Sequence, residues 1–217
     1  MRLRQINQHL AIHVSQLHST LQLHNTHHAN NTHIDFSRSC NLLCLSFEEV
    51  VRMKFVYGKD VPIHMLDNWL KPHEHENILM YCEQAKYTYG EKDDENVAPT
   101  GMSAEIKAGE LIYRFLYEMT QPLVPDLCLV RMYVNLFAPN EVPYYHTDAD
   151  QGMTFLYYPH KEMWTPNLLG QTEFYHKERS YAIAPEPNRL VYFDASILHR
   201  ATAFRNKHRF TVALKYE

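Results

Sequence analysis

His146, Asp148 and His199 are the residues of this chain best suited to hold a metal ion. In an extended segment, His146-Thr147-Asp148 puts an imidazole and a carboxylate on one side, because residues two apart on a β-strand share a face. His199 follows the apolar run Arg189-Leu-Val-Tyr-Phe-Asp-Ala195, which reads as a strand that delivers it. Two neutral imidazoles and one carboxylate on one side of an ion leave coordination positions open, a facial arrangement that suits Fe(II) and O2. A His-x-Asp pair is weak evidence in a chain with fifteen histidines, where satisfied surface histidines are the bland alternative.

What raises its weight is Arg209-Phe210-Thr211, which opens the final strand beyond His199. A guanidinium offers a planar two-point fork, and a hydroxyl two residues on adds a donor on the same face, so the pair reads as a carboxylate clamp. A metal triad with open positions and a clamp for an acidic ligand each give the other a purpose. On the first core strand Tyr133 shares a face with Asn135 and Phe137, from which it reaches either a bound ligand or the packing.

In these blocks the chain resembles the Fe(II)/2-oxoglutarate-dependent dioxygenases, and within them the prolyl-hydroxylase-like group. The resemblance runs from about Arg131 to Tyr216 and rests on order as much as on any single motif. His146-Thr-Asp148 is similar to the first two iron ligands, and Thr154-Phe-Leu-Tyr-Tyr158 looks like the strand after them. Trp164 with Leu169-Gly-Gln-Thr-Glu-Phe174 resembles the Trp and Gly-Gly-x-Thr segment, with Leu169 in place of the first glycine. Pro187-Asn-Arg-Leu-Val-Tyr-Phe193, His199 and Arg209-Phe-Thr211 resemble the closing block.

The resemblance implies that His146, Asp148 and His199 hold Fe(II) and that Arg209, with Thr211 and Tyr158, binds the distal carboxylate of 2-oxoglutarate. It implies hydroxylation of an unactivated C–H bond with O2 and release of succinate and CO2, ascorbate being a further candidate cofactor. It also implies a prolyl or other amino-acid side chain as substrate. Leu169 and the short mouth loops depart from the prolyl-specific pattern. Asp148 disfavours the halogenating variant, which lacks the carboxylate. Two other readings stay open: the same chemistry on a nucleobase or small metabolite, and a cupin-like metal module that never uses 2-oxoglutarate. Arg209 separates the last from the others, since such a module has no need of a cation there.

The elements that must position these groups lie in a chain of 217 residues with a formal charge of −4 and 45% hydrophobic residues, enough for one ordinary globular domain. The mild acidity argues against a nucleic-acid surface, and Arg205, Lys207, His208 and Arg209 read as a turn that ends in one buried arginine. The chain has neither a bilayer-length apolar run nor a secretory pattern, so the expected location is cytoplasmic. The expected partner is a peptide, protein or small-molecule substrate, with no membrane; oligomeric state is left open. Cys40, Cys44, Cys82 and Cys128 lack disulfide spacing and are expected as free thiols, although Cys40 and Cys44 with His33 form a weak zinc alternative.

Residues 1–52 carry seven of the fifteen histidines, no Lys, Gly or Pro, and three acidic residues. Such polarity predicts a disordered or loosely helical extension, with a targeting presequence or histidine-rich metal buffer as alternatives. A further expectation is that translation starts at Met53, since Glu48-Glu49-Val50 can be encoded by a purine run like a ribosome-binding sequence. Residues 53–217 are then the dioxygenase-like domain.

Within it, Phe55–Tyr57 and Val61–Met65 read as strands, and the apolar spacing predicts helices over Pro72–Lys86 and Ala104–Met119. The segment Tyr89–Ser103 between them reads as an acidic loop. Eight strands follow: Cys128–Phe137, Tyr144–Asp148, Met153–Pro159, Gln171–Tyr175, Tyr181–Ala184, Arg189–Asp194, His199–Ala203 and Arg209–Tyr216. This order predicts an α+β fold, a double-stranded β-helix or jelly roll of cupin-like type, with the helices packed outside the major sheet. In the last strand Phe210, Val212, Leu214 and Tyr216 face the helices, and Arg209, Thr211 and Ala213 face a site. His160, His176 and His208 are expected at the surface.

Overall fold

The computed structural model describes residues 54–55 and 61–217, apart from 93–95. The extension 1–52, the proposed start at Met53 and the Cys40/Cys44/His33 alternative lie outside the described residues. Of the predicted strand Phe55–Tyr57, a described pair Lys54–Phe55 forms β1. No helix among the described residues is long and apolar enough to cross a membrane.

The chain continues with β2 (Ile63–Leu66), α1 (Pro72–Gln84), β3 (Thr88–Tyr89), β4 (Met102–Glu105) and α2 (Leu111–Thr120). Then come β5 (Leu129–Phe137), β6 (Met153–Tyr158), β7 (Thr172–His176), β8 (Arg179–Ile183), β9 (Arg189–Asp194), β10 (Leu198–Ala201) and β11 (Arg209–Tyr216). The result is a sheet-rich α+β fold. One sheet has eight strands in the order β1-β2-β9-β6-β11-β5-β4-β3, and a second has three in the order β10-β7-β8.

β11 is central because its alternation serves both sides of the large sheet. On one side Val212, Leu214 and Tyr216 join Met132, Val134, Phe155 and Tyr157 in a core closed by Ile78 and Cys82 of α1 and Leu116 of α2. Burial of each such aliphatic side chain contributes about 1.5–3 kcal/mol. Thr120 and Tyr216 hydroxyls meet at 2.7 Å and fix the end of α2 to β11. On the other side Ala213, Tyr133, Leu156 and Tyr158 pack with Phe174 and Ile183 of the smaller sheet. The two-faced last strand expected from sequence is therefore present.

The helices start where the local chemistry allows. Pro72 stands in the first turn of α1, and the Glu74 carboxylate accepts the Lys71 N–H at 2.8 Å. The second helix is shorter than predicted: it begins at Leu111, not Ala104, and Met102–Glu105 is a strand paired with β5, Ser103 opposite Asn135. Edge pairing on β5 satisfies backbone groups along 102–105, and Glu110 stands just before α2, where its carboxylate accepts the Lys107 N–H and the Tyr81 hydroxyl instead of a helix N–H. The predicted loop is thus flanked by β3 and β4, and it is tied down by the Gly101 N–H donating to Glu141.

Two more boundaries differ. Tyr144–Asp148 is not a strand; only His146 pairs, in an isolated antiparallel bridge with His199. β8 starts at Arg179 rather than Tyr181, because Lys177 and Glu178 both take positive φ (49° and 61°) and close a two-residue turn from His176 to Arg179. Lys-Glu lacks the usual Asn-Gly signature, so sequence pattern gave no sign of it.

Candidate active site

The bridge between His146 and His199 brings the first two candidate ligands together. Each backbone N–H donates to the other's carbonyl at 2.9 Å, and the rings lie 4.5 Å apart between centroids. Asp148 is delivered differently from the sequence expectation: its backbone N–H donates to Ala195 O at 2.9 Å, in the turn after β9. His146 Nε2 lies 3.5 Å from Asp148 Oδ1, and His199 Nε2 lies 3.5 Å from Oδ2. One ligand atom from each residue falls within 4.8 Å of the others, so the three form a group that can hold a metal ion.

Their donor chemistry fits that role. The Nδ1 of His199 lies 2.8 Å from Ile197 O, and that of His146 lies 3.2 Å from Tyr144 O. A carbonyl only accepts, so Nδ1–H is the matching tautomer, and each Nε2 turns a lone pair toward Asp148. Two imidazole lone pairs and a carboxylate are a donor set that suits a divalent transition metal. Burial against Phe174 and Phe193 pushes the His199 pKa down to about 4, which keeps its ring neutral. Burial pushes the Asp148 carboxyl up, but Lys215 first of all, then His146 and His199, outweigh it and hold it well below the usual carboxylate range.

Stability of the metal-free protein follows from this with a definite sign. His199 has its folded pKa below its ordinary 6.5, so the unfolded chain takes up the proton more readily. The associated stability is complete above about pH 6.5 and lost as pH falls toward 4, on the order of 3 kcal/mol. Urea titrations at pH 7 and pH 4.5 should show this loss, and added metal should shift it to lower pH. Equal midpoints at both pH values would contradict a buried neutral His199.

Arg209 stands in the same cavity, of about 360 Å³, whose lining includes the triad, Tyr133, Thr172, Thr211 and Lys215. It is 1% exposed, and its donors reach Gly170 O (2.9 Å), Thr211 Oγ1 (2.7 Å) and Thr172 Oγ1 (2.9 Å). Among the described residues no carboxylate pairs with it. Burial pushes its pKa down to about 10, which leaves it a cation at neutral pH. A buried guanidinium that faces a cavity without a counter-ion is a site prepared for an anion.

Tyr158 does not line the cavity. Its phenol meets Thr172 Oγ1 at 2.7 Å, so Thr172 stands between it and the Arg209 clamp. Tyr133 does line the cavity, under the Arg131 guanidinium at 3.9 Å. His160 is corrected: it is not at the surface but 5% exposed beside Phe204, its pKa pushed well below 6.5 by burial, its Nε2 without a hydrogen-bond partner. His208 is exposed as expected, and His176 is half-buried.

Three contributors went unnoticed in the sequence. Lys215 ion-pairs with Asp148 Oδ2, Thr154 donates its hydroxyl to the same oxygen, and Thr172 completes the Arg209 cradle. Lys215 had a signal, since positions 209, 211, 213 and 215 alternate on one face of β11. Thr154 and Thr172 stand in segments matched by order, but no local period marks their roles: Thr154 meets Asp148 from six residues on, and Thr172 meets Arg209 from 37 residues away.

Leu169 takes a backbone conformation that glycine ordinarily supplies. It sits at φ 63°, ψ −147°, a region occupied almost only by glycine, at a cost of about 1–3 kcal/mol. The Trp164 indole N–H donating to Leu169 O at 2.7 Å and a bridge to Phe204 hold it there. At Gly170 an added Cβ would lie 2.2 Å from the Phe204 ring, so the glycine whose carbonyl receives Arg209 cannot be replaced without displacement. Leu169→Gly should therefore stabilise the fold by about 1 kcal/mol after the entropic cost of glycine, read as a higher urea midpoint. A lower midpoint would mean that the Leu169 side chain contributes more than its backbone costs.

The fold is similar to that of solved Fe(II)/2-oxoglutarate oxygenases, prolyl hydroxylases among them. A prolyl hydroxylase from Trichoplax adhaerens, solved with a hypoxia-inducible-factor peptide fragment, is similar at a TM-score of 0.63 and 16% identity, over 72% of this chain and 84% of that one. A prolyl-4-hydroxylase from Pseudomonas putida is similar at 0.58 and 14%, over 73% and 93%. HygX from Streptomyces hygroscopicus, solved with nickel and 2-oxoglutarate, is similar at 0.55 and 11%, over 72% and 82%. No family model matches the chain, and no curated protein does.

Proposed function

We propose that the protein is an Fe(II)- and 2-oxoglutarate-dependent dioxygenase that hydroxylates an unactivated C–H bond, with a prolyl or other amino-acid side chain as substrate. The observation that carries this reading is Arg209: a buried cation with no carboxylate partner among the described residues, in one cavity with a convergent His-Asp-His group. His146, Asp148 and His199 would hold the iron, and Arg209 with Thr211 and Thr172 would take the distal carboxylate. Bound together, iron and 2-oxoglutarate supply oxidative decarboxylation of the diacid by O2 and hydroxylation of the substrate. The chain's own part is to hold His199 neutral behind Phe174 and Phe193, to keep Asp148 ionised, and to line the cavity with Leu156.

We also read the two sheets as a double-stranded β-helix. From β5 onward the chain passes from the large sheet to His146 beside β10, back to β6, across to β7 and β8, back to β9, across to β10 and finally to β11. That alternation is what two coiled, facing sheets require. Residues 53–217 would then form the catalytic domain. A cupin-like module without 2-oxoglutarate has no use for a buried cation at Arg209. The amino-acid substrate is supported by the peptide complex of the Trichoplax neighbour, whereas HygX has been solved with hygromycin B.

The test is anaerobic addition of Fe(II) and then 2-oxoglutarate to purified protein. A visible charge-transfer band of the chelated diacid is expected, and succinate release on admitting O2 with peptide substrates should follow. Metal binding with no band would leave only the metal-binding module.

A further inference from the structure

Lys215 makes a demand on the site that the triad and Arg209 do not. It is carried by the same strand face as Arg209 and Thr211, lines the cavity, and has its ammonium on Asp148 Oδ2, the oxygen that faces His199 Nε2 at 3.5 Å. Both partners are shielded, with side-chain exposures of 15% for Lys215 and 7% for Asp148. The Tyr133 ring, 5.9 Å from Nζ, stands beside it. The carboxylate proposed to bind the metal already has a cation.

We propose that Lys215 is the counter-ion of Asp148 in the metal-free protein and an opponent of the metal, so that metal alone binds weakly and the diacid is needed to hold it. This deepens the 2-oxoglutarate reading and rests on it. The formal charges make the case. Asp148, Lys215 and Arg209 together carry one positive charge; a divalent metal alone raises that to three, and a dianionic ligand returns it to one. Asp148, Lys215 and Arg209 are shielded from solvent, so the intermediate state is penalised. Because coupling is reciprocal, metal and diacid strengthen one another's binding by the same factor. Without the lysine the corresponding charges are zero, two and zero, so metal alone is better tolerated.

An orientation role predicts the opposite. If Lys215 merely aimed Asp148 at the metal, its removal would weaken metal binding with or without the diacid. The two roles therefore differ in sign.

The test is titration of Co(II), with and without 2-oxoglutarate, into wild type and K215M, followed by cobalt absorption and by calorimetry. Co(II) alone should bind K215M at least tenfold tighter than wild type, and the strengthening produced by 2-oxoglutarate should shrink by a similar factor. Metal-free K215M should melt below wild type, since Asp148 loses its partner, and Co(II) should raise its Tm by more. If K215M does not fold without metal, K215Q and the same Co(II)-dependent melts give the comparison, and refolding on Co(II) alone supports the proposal. Equal or weaker Co(II) binding by the variants overturns it while leaving the 2-oxoglutarate reading intact. Failure of both forms to bind Co(II) overturns both.

Discussion

Arg209→Met should weaken 2-oxoglutarate binding by roughly a hundredfold or more while costing the fold no more than about 1 kcal/mol. In wild type the guanidinium is buried with three neutral acceptors and, among the described residues, no carboxylate, so its charge awaits a ligand. Loss of one member of a buried charge pair costs about 3–5 kcal/mol, so affinity for the diacid should fall by roughly two to four orders of magnitude. In the empty protein the same change removes an unpaired buried charge and puts an apolar chain of similar length in its place. The freed acceptors are two rotatable hydroxyls and one carbonyl, which limits the loss to about 1 kcal/mol, with stabilisation the more natural sign. Calorimetric titration of 2-oxoglutarate and a urea curve on the same sample measure both. A strongly destabilised variant would show instead that Arg209 is a structural residue, and the clamp would lose its basis.

Asp148→Ala should have a large effect of another kind, on metal binding and stability together. It removes the single carboxylate of the candidate triad and the partner of Lys215. The ammonium is then left in a shielded place without an anion, a defect worth about 3–5 kcal/mol, against about 0.5 kcal/mol or less for a surface change. Adding K215M should restore most of that stability, because removing both members of a buried pair is close to neutral, but it should not restore metal binding. Thermal melts of the single and double variants, with Co(II) titrations on each, make a cycle. A single variant as stable as wild type would mean that the pair is solvated in solution, and the further inference about Lys215 would weaken with it.

The sequence by itself determined which chemistry was available. A His-x-Asp pair, a later histidine after an apolar strand, and Arg-x-Thr on the last strand were legible because period-two alternation is a local property, readable without knowledge of the partners. The same rule divided β11 into a helix-facing and a site-facing side, and extending it by two residues would have reached Lys215. Only the tertiary structure decided what each group meets. His146 reaches His199 through one isolated bridge rather than a strand, and Asp148 arrives by a bond to the turn after β9. The strand at Met102–Glu105 exists because β5 offers an edge, which overrode a helical apolar pattern. His160 is buried because Phe204 covers it from more than forty residues away. Contacts between distant segments depend on how two sheets face each other, and no local period encodes that. Above all, the absence of a carboxylate beside Arg209, and the presence of an ammonium beside Asp148, are facts about neighbours in space.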